Sequence, residues 1–263
     1  MSEREGLRAL AEEIARAAGA IQRARYETQL TVRTKSASID LVTEVDHACE
    51  ALCVERIRAA RPRDAILAEE GGGEEKPGAS WRWVIDPLDG TMNFAHGYPR
   101  FCVSIGVELE GRAELGVVYD PLLDELFAAT RGLGATRNGR PIRVSGVREL
   151  GKALLATGFA YDVHRSLDDN IAHFANFVKR ARGLRRDGSA ALDLCYVAAG
   201  RFDGFWELKL RAWDVAAGNL MVEEAGGRTS DFAGNPASGD GRETVASNGA
   251  IHEAMLELLR KGD

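Results

Sequence analysis

The sequence predicts a mixed α+β chain in two sub-domains, and three observations carry that prediction. Apolar residues recur at helical spacing near the N-terminus. Residues 101–145 alternate like an antiparallel meander and turn at Asn138-Gly139. Beyond about residue 150, short apolar runs alternate with helical segments. The division falls into 1–148 and 149–263.

Each element has its own reason. Leu7, Leu10, Ala11, Ile14, Ala18 and Ile21 place a helix over 4–26, and Ala48, Leu52 and Ile57 place another over 46–60, before Pro62. Ala65–Ala68 is a short apolar strand running into Glu69-Glu70. The glycines from Gly71 to Gly78 make a loop, and Trp81–Ile85 is a second strand ending at Asp86-Pro87. Val103–Leu109, Ala113–Tyr119 and Glu125–Thr130 form the meander, and Asn-Gly is the strongest short hairpin signal. In the second half, Ala153–Phe159 and Gly204–Leu208 read as strands. Residues 168–182, 189–200, 213–225 and 249–261 read as helices.

Composition narrows the function. The chain has 263 residues, 45% hydrophobic and 28% charged, enough to bury a core without disulfides. Its net charge of −6 argues against a dedicated nucleic-acid binder, which needs a basic footprint. No apolar run is long enough for a membrane span. The charged start Met1-Ser2-Glu3-Arg4-Glu5-Gly6 has no signal-type apolar segment, so a cytoplasmic protein is expected. Cys49, Cys53, Cys102 and Cys195 form no C-x-x-C pair and read as reduced, buried thiols, and the histidines lack zinc-site spacing.

The chemistry concentrates in acidic residues at element ends. In Asp86-Pro87-Leu88-Asp89-Gly90-Thr91, Asp86 stands where an apolar strand stops and Asp89 can turn back to the same point. Gly90 permits a tight turn, and Thr91 opens a helical turn. Two carboxylates and a carbonyl beside free N–H groups suit a hard cation and a phosphate. Neighbouring strands ending together would bring Glu69 beside Asp86. Asp214 falls at a helix start, where Ala216, Ala217 and Gly218 allow another element to approach closely. Lys35 is a candidate to reach the phosphate. The basic run Lys179–Arg186 reads as a solvated helix C-terminus, with contact to an anionic substrate, RNA or a protein as the other option.

Together these segments, with Asp40-Leu41-Val42-Thr43-Glu44-Val45-Asp46, Gly188-Ser189-Ala190-Ala191-Leu192-Asp193 and Trp213-Asp214-Val215-Ala216-Ala217-Gly218, resemble the inositol monophosphatase family of metal-dependent sugar-phosphate phosphatases. The resemblance runs in order from about Lys35 to Gly227. It implies a five-layered α-β-α-β-α sandwich, a homodimer, activation by two to three Mg²⁺ ions and inhibition by lithium. It implies that Glu69, Asp86, the Leu88 carbonyl, Asp89 and Asp214 hold the metals. Asp46 and Thr91, counted with Glu69 as catalytic, would orient the attacking water. The Gly90 and Thr91 N–H groups would hold the phosphate. Ala190, Glu207, Asp89 and Asp214 would face the alcohol part of the substrate.

The reaction so implied is hydrolysis of a small phosphate monoester, inositol-1-phosphate first, by in-line attack of metal-activated water. Charge arithmetic agrees: four carboxylates carry about −4 and a phosphate monoester about −2, so only cations of about +4 to +6 make the site attractive. The same resemblance leaves open fructose 1,6-bisphosphate, histidinol phosphate or a 3′-phosphoadenosine nucleotide as substrate. It also leaves open a regulatory RNA- or ribosome-linked role.

Overall fold

The structure, a computed structural model, describes residues 2–260. The last residue of the helix expected over 249–261, and the extreme ends of both sub-domain ranges, lie outside them. In chain order the elements are α1 (Glu3–Arg25), β1 (Val32–Thr34), β2 (Leu41–Thr43), α2 (Glu44–Ala60), β3 (Ala65–Ala68), β4 (Trp81–Asp89) and α3 (Thr91–Ala95). Then come β5 (Cys102–Leu109), β6 (Arg112–Asp120), β7 (Glu125–Thr130), β8 (Gly134–Arg137) and β9 (Arg140–Pro141). The rest are β10 (Leu154–Thr157), α4 (Ile171–Val178), β11 (Gly183–Arg185), α5 (Ala190–Ala198), β12 (Gly204–Leu208), α6 (Ala212–Glu224), β13 (Arg228–Ser230), β14 (Glu243–Ser247) and α7 (His252–Leu259).

Strands β3 to β9 form one seven-stranded sheet in sequence order, and β11-β10-β12-β14-β13 form a second of five strands. Three apolar cores stack them with helices. Leu7, Ile14 and Ile57 of α1 and α2 cover one face of the large sheet through Trp83, Ile105 and Val117. Leu194, Leu220 and Met221 of α5 and α6 fill the space between the sheets against Val118, Phe127 and Phe205. Phe177, Met255 and Leu259 of α4 and α7 cover the far face of the small sheet, where Phe177 stacks on Trp206 at 4.0 Å. The order is therefore α-β-α-β-α.

Two glycines decide how closely the middle layer docks. Gly106 and Gly116 face each other across the β5–β6 ladder. A methyl group on Gly106 would stand 2.8 Å from the Ala216 Cβ, and one on Gly116 would stand 2.7 Å from the Ala217 carbonyl oxygen. On the other side of α6, a methyl on Gly218 would meet Leu194 of α5 at 2.6 Å. This close seating sets the first turn of α6, which carries Asp214, at the end of the large sheet.

Several boundaries differ from the sequence reading. Helix α2 begins two residues before the expected 46 because Thr43 and Asp46 form a capping box. The second strand does not stop at Ile85. It continues as β4 to Asp89, with its register broken between Asp86 and Asp89. The expected 168–182 helix shrinks to α4; it starts only at Ile171 because Asn170 is drawn inward, its amide donating to the Thr157 hydroxyl and the Gly158 carbonyl and accepting from the Trp206 indole. The basic run 179–186 does start at a helix C-terminus, with Lys179 capping α4, but its later part is β11, an edge strand paired in parallel with β10. All four cysteines are free and buried. Among the described residues no helix is long and apolar enough to cross a membrane.

The seam between α7 and the small sheet holds a neutral histidine. His252 is fully buried. Ser230 donates to the Asp231 carbonyl, so its oxygen accepts from His252 Nε2, whereas Ser247 accepts from the Gly249 N–H and donates to Nδ1. Burial, then the Arg228 charge, lowers its pKa to about 4, with Glu253 opposing. The folded state resists protonation that the unfolded chain accepts near 6.5, so stability is intact above that pH and falls as pH drops from about 6.5 towards 4. We expect His252→Gln to remove about 2 kcal/mol of the stability lost between pH 7 and pH 5. Urea unfolding of both proteins at the two pH values checks this; identical pH dependence would assign the loss to other groups.

Candidate metal and phosphate site

The site grows from the end of β4. Because β3 pairs in parallel with β4 (Ala68 opposite Ile85), the next residue, Glu69, reaches the level of Asp86, and its N–H donates to the Ile85 carbonyl at 3.2 Å. After the register break the chain turns at Gly90, whose φ is +97°. A side chain there would also collide with the Arg100 carbonyl oxygen, 2.7 Å from where a Cβ would lie. Conformation and crowding both demand glycine. The short helix α3 starts at once, leaving its first N–H groups without intrahelical partners.

Three carboxylates from two distant segments converge here. One oxygen each from Asp86, Asp89 and Asp214 lies within 4.8 Å of the others. Each is oriented by N–H or O–H donors. The Leu88 N–H donates to Asp86 Oδ1 at 2.9 Å, and the Arg211 N–H donates to Asp214 Oδ2 at 2.6 Å. Asp89 Oδ2 accepts from the Ser189 hydroxyl at 2.6 Å and the Ala191 N–H at 2.8 Å. In each case at least one oxygen is held by a backbone N–H.

Such a cluster is costly to keep charged. Burial, then the charges of Glu69, Asp89 and Asp214, pushes the Asp86 carboxyl well above the usual range. Burial does the same for Asp214, with Asp89 adding to it. Asp89 rises only to about 6, because the Ser189 and Ala191 donors offset its burial. Oxygen donors held this close, and unstable as neighbouring anions, fit a hard divalent cation.

Glu69 stands beside Asp86 but outside that trio, because Lys35 Nζ holds its Oε1 at 2.8 Å and also bonds Glu70. Lys35 therefore stands at the edge of the acidic cluster, with two of its three donors engaged by Glu69 and Glu70. The Leu88 carbonyl is buried with the turn and receives the Thr91 hydroxyl at 3.1 Å, while the shorter bond from that hydroxyl, 2.8 Å, goes to Asp46 Oδ1. Asp46 is fully buried, and its Oδ2 accepts from the Thr43 N–H and hydroxyl at 2.8 and 2.6 Å. Asp46 can therefore only accept from Thr91, which leaves the Thr91 oxygen with lone pairs for a further donor.

Ala190 opens α5 beside the Asp89 donors. Glu207, buried on β12, lies against Gly158, where a Cβ would overlap its carboxylate. Burial raises its pKa to about 8, with the Arg186 charge opposing. The sequence reading gave no role to Ser189 or the Ala191 N–H, and considered Arg186 only within the basic run Lys179–Arg186, as a contact to an anionic substrate. Ser189 alone carried a signal, as a serine immediately before a helical segment.

Comparison with known proteins finds relatives of similar sequence and fold. The chain is 48% identical over 235 residues to Nus factor SuhB of Pseudomonas aeruginosa, covering 88% of this chain and 86% of that protein. It is 46% identical over 228 residues to an inositol-1-monophosphatase of Synechocystis, covering 87% and 79%. The solved inositol monophosphatase of Anabaena superposes with a TM-score of 0.90 at 44% identity, over 99% of this chain and 97% of that one. The sequence profile of the inositol monophosphatase family spans residues 3–263, and with these likenesses it places the chain in that family.

Proposed function

We propose that the protein is a Mg²⁺-dependent phosphomonoesterase whose preferred substrate is inositol-1-phosphate. The observation that carries this reading is the convergence of Asp86, Asp89 and Asp214 within 4.8 Å, next to the Thr91–Asp46 pair. Glu69, Asp86, the Leu88 carbonyl, Asp89 and Asp214 would hold two to three ions. When bound, Mg²⁺ supplies the positive charge that admits a phosphate dianion and makes a water nucleophilic. The protein's own groups do the rest. Thr91, its hydroxyl proton committed to Asp46, accepts a hydrogen bond from the attacking water and aims it in line at phosphorus. The Gly90 and Thr91 N–H groups hold the phosphate oxygens. Glu207, with Ala190 nearby, receives the hydroxyls of the leaving alcohol. Lithium inhibition, a homodimer and a cytoplasmic location belong to the same proposal.

Phosphate release from inositol-1-phosphate, fructose 1,6-bisphosphate, histidinol phosphate and 3′-phosphoadenosine 5′-phosphate tests the substrate. The highest kcat/KM should fall to inositol-1-phosphate; a clear preference for another would replace it. Glu207→Ala leaves the clustered carboxylates in place but removes a partner for a buried hydroxyl, worth about 1–3 kcal/mol. We expect kcat/KM for inositol-1-phosphate to fall roughly 5- to 150-fold, with a smaller loss on p-nitrophenyl phosphate. Equal losses would move Glu207 into the metal chemistry, and no loss would leave it a bystander.

A further inference from the structure

One buried side chain beside the site has a hydrogen-bonding pattern that the roles above leave unused. Asn93 sits in α3, two residues after Thr91, and is buried. Its amide nitrogen donates to two carbonyls, those of Arg100 and Asp187, both at 2.7 Å. Two acceptors at that end fix which end carries the nitrogen, since an amide oxygen there would repel both.

These carbonyls belong to the segments that flank the phosphate turn and the start of α5. Gly90 packs against the Arg100 carbonyl and, at 3.3 Å from a would-be Cβ, the Gly188 carbonyl. Gly188, at φ +81°, lies under the Asn93 amide, with 3.1 Å from its would-be Cβ to Nδ2. Immediately after it come Ser189 and Ala191, the donors that orient Asp89. Arg100 is itself tied to α5, since its guanidinium donates to the Tyr196 hydroxyl at 2.8 Å and lies over that ring. The contacts close into a ring that runs from α3 through Arg100 to α5, and back through Asp187 to α3.

We infer that Asn93 is a positioning residue: its two amide protons lock the turn after β4 onto the segment leading into α5, and so hold the Ser189 hydroxyl and the Ala191 N–H on Asp89. The inference rests on the proposed Mg²⁺ phosphatase reading for its catalytic consequence, though its structural part stands apart from it. Groups that orient metal-binding side chains change metal affinity or activity by about 10- to 100-fold when removed.

Asn93→Ala, measured against the unaltered protein, tests this with three readouts. In metal-free protein the Ala191 amide should exchange at least ~10-fold faster, a result independent of any activity. Calorimetry should show Mg²⁺ binding weakened by ~10- to 100-fold, with kcat on p-nitrophenyl phosphate falling by a similar factor. Combined with Ser189→Ala, the losses should be less than additive, because both act through Asp89. If Asn93→Ala does not fold, Asn93→Ser, which keeps one donor, gives the same readouts at smaller size. A lowered melting temperature with unchanged Ala191 exchange, Mg²⁺ affinity and kcat would overturn the inference, as would full additivity. If the unaltered chain bound no Mg²⁺, the phosphatase reading would fall and the catalytic part of this inference with it, whereas normal binding by both proteins would sink the inference alone.

Discussion

Asp86→Asn should lower kcat by at least ~10²-fold, equivalent to about 2.7 kcal/mol, without weakening the metal-free fold. Asparagine matches aspartate in shape, and its oxygen can still accept from the Leu88 N–H, which meets Asp86 Oδ1 at 2.9 Å. What disappears is the negative charge at a place crowded by Glu69, Asp89 and Asp214. Without a cation that charge is a burden, so the metal-free variant should melt at or above the temperature of the unaltered protein. With a cation it is a ligand, so turnover should collapse. Measuring kcat and metal-free melting together separates the cases. Near-normal kcat would show that Asp86 is not a ligand, and a collapsed melting temperature would show that its role is structural.

Asp46→Asn should cost a further large factor, ~10²-fold in kcat, by reversing one hydrogen bond. The aspartate accepts on both oxygens: Thr43 N–H and hydroxyl on one, the Thr91 hydroxyl on the other. Asparagine can keep the capping interaction only by turning its oxygen to the Thr43 N–H. Its NH₂ then points at Thr91 and must donate. The Thr91 hydroxyl proton is pushed towards the Leu88 carbonyl, 3.1 Å away, and the oxygen loses a lone pair it needs for the attacking water. Because the cap survives, stability should fall by no more than about 1 kcal/mol, against up to about 2 for the cap-deleting Asp46→Ala. Steady-state kinetics and denaturant unfolding of both variants decide it. A kcat within a few-fold of normal in Asp46→Asn would confine Asp46 to capping α2.

What the sequence made legible was whatever local physics determines. Helix α1 followed from apolar spacing alone: of the residues that the spacing selected, Leu7, Ala11, Ile14 and Ala18 are buried and Leu10 and Ile21 are half-buried, while Ala15, Gly19 and Gln22 are buried without having been selected. The Asn138-Gly139 turn followed from the need for two positive φ values, which are +49° and +74°. Strands β1 and β11 were not legible, because short exposed or charged edge segments such as Val32–Thr34 and Gly183–Arg185 show no apolar alternation. The start of α4 was missed because the bonds of Asn170 are tertiary and leave no local trace. The convergence of Asp86 and Asp89 with Asp214 depends on α6 settling over Gly106 and Gly116. Gly-rich strands announce a close approach without naming what approaches, so the residues alone marked Asp214 as a carboxylate at a helix start, and the resemblance to known phosphatases joined it to Asp86 and Asp89. Ser189 and Asn93 escaped for a related reason: each acts by holding a partner far along the chain.

The most direct test of the account is the dependence of turnover on a divalent cation. Protein stripped with chelator and dialysed should release no phosphate from inositol-1-phosphate above the uncatalysed rate, and adding Mg²⁺ should restore turnover in full. Calorimetry on the same sample should register Mg²⁺ binding that Asp86→Asn weakens. Undiminished phosphate release in excess chelator would contradict the claim that the Asp86, Asp89 and Asp214 cluster acts by holding a metal.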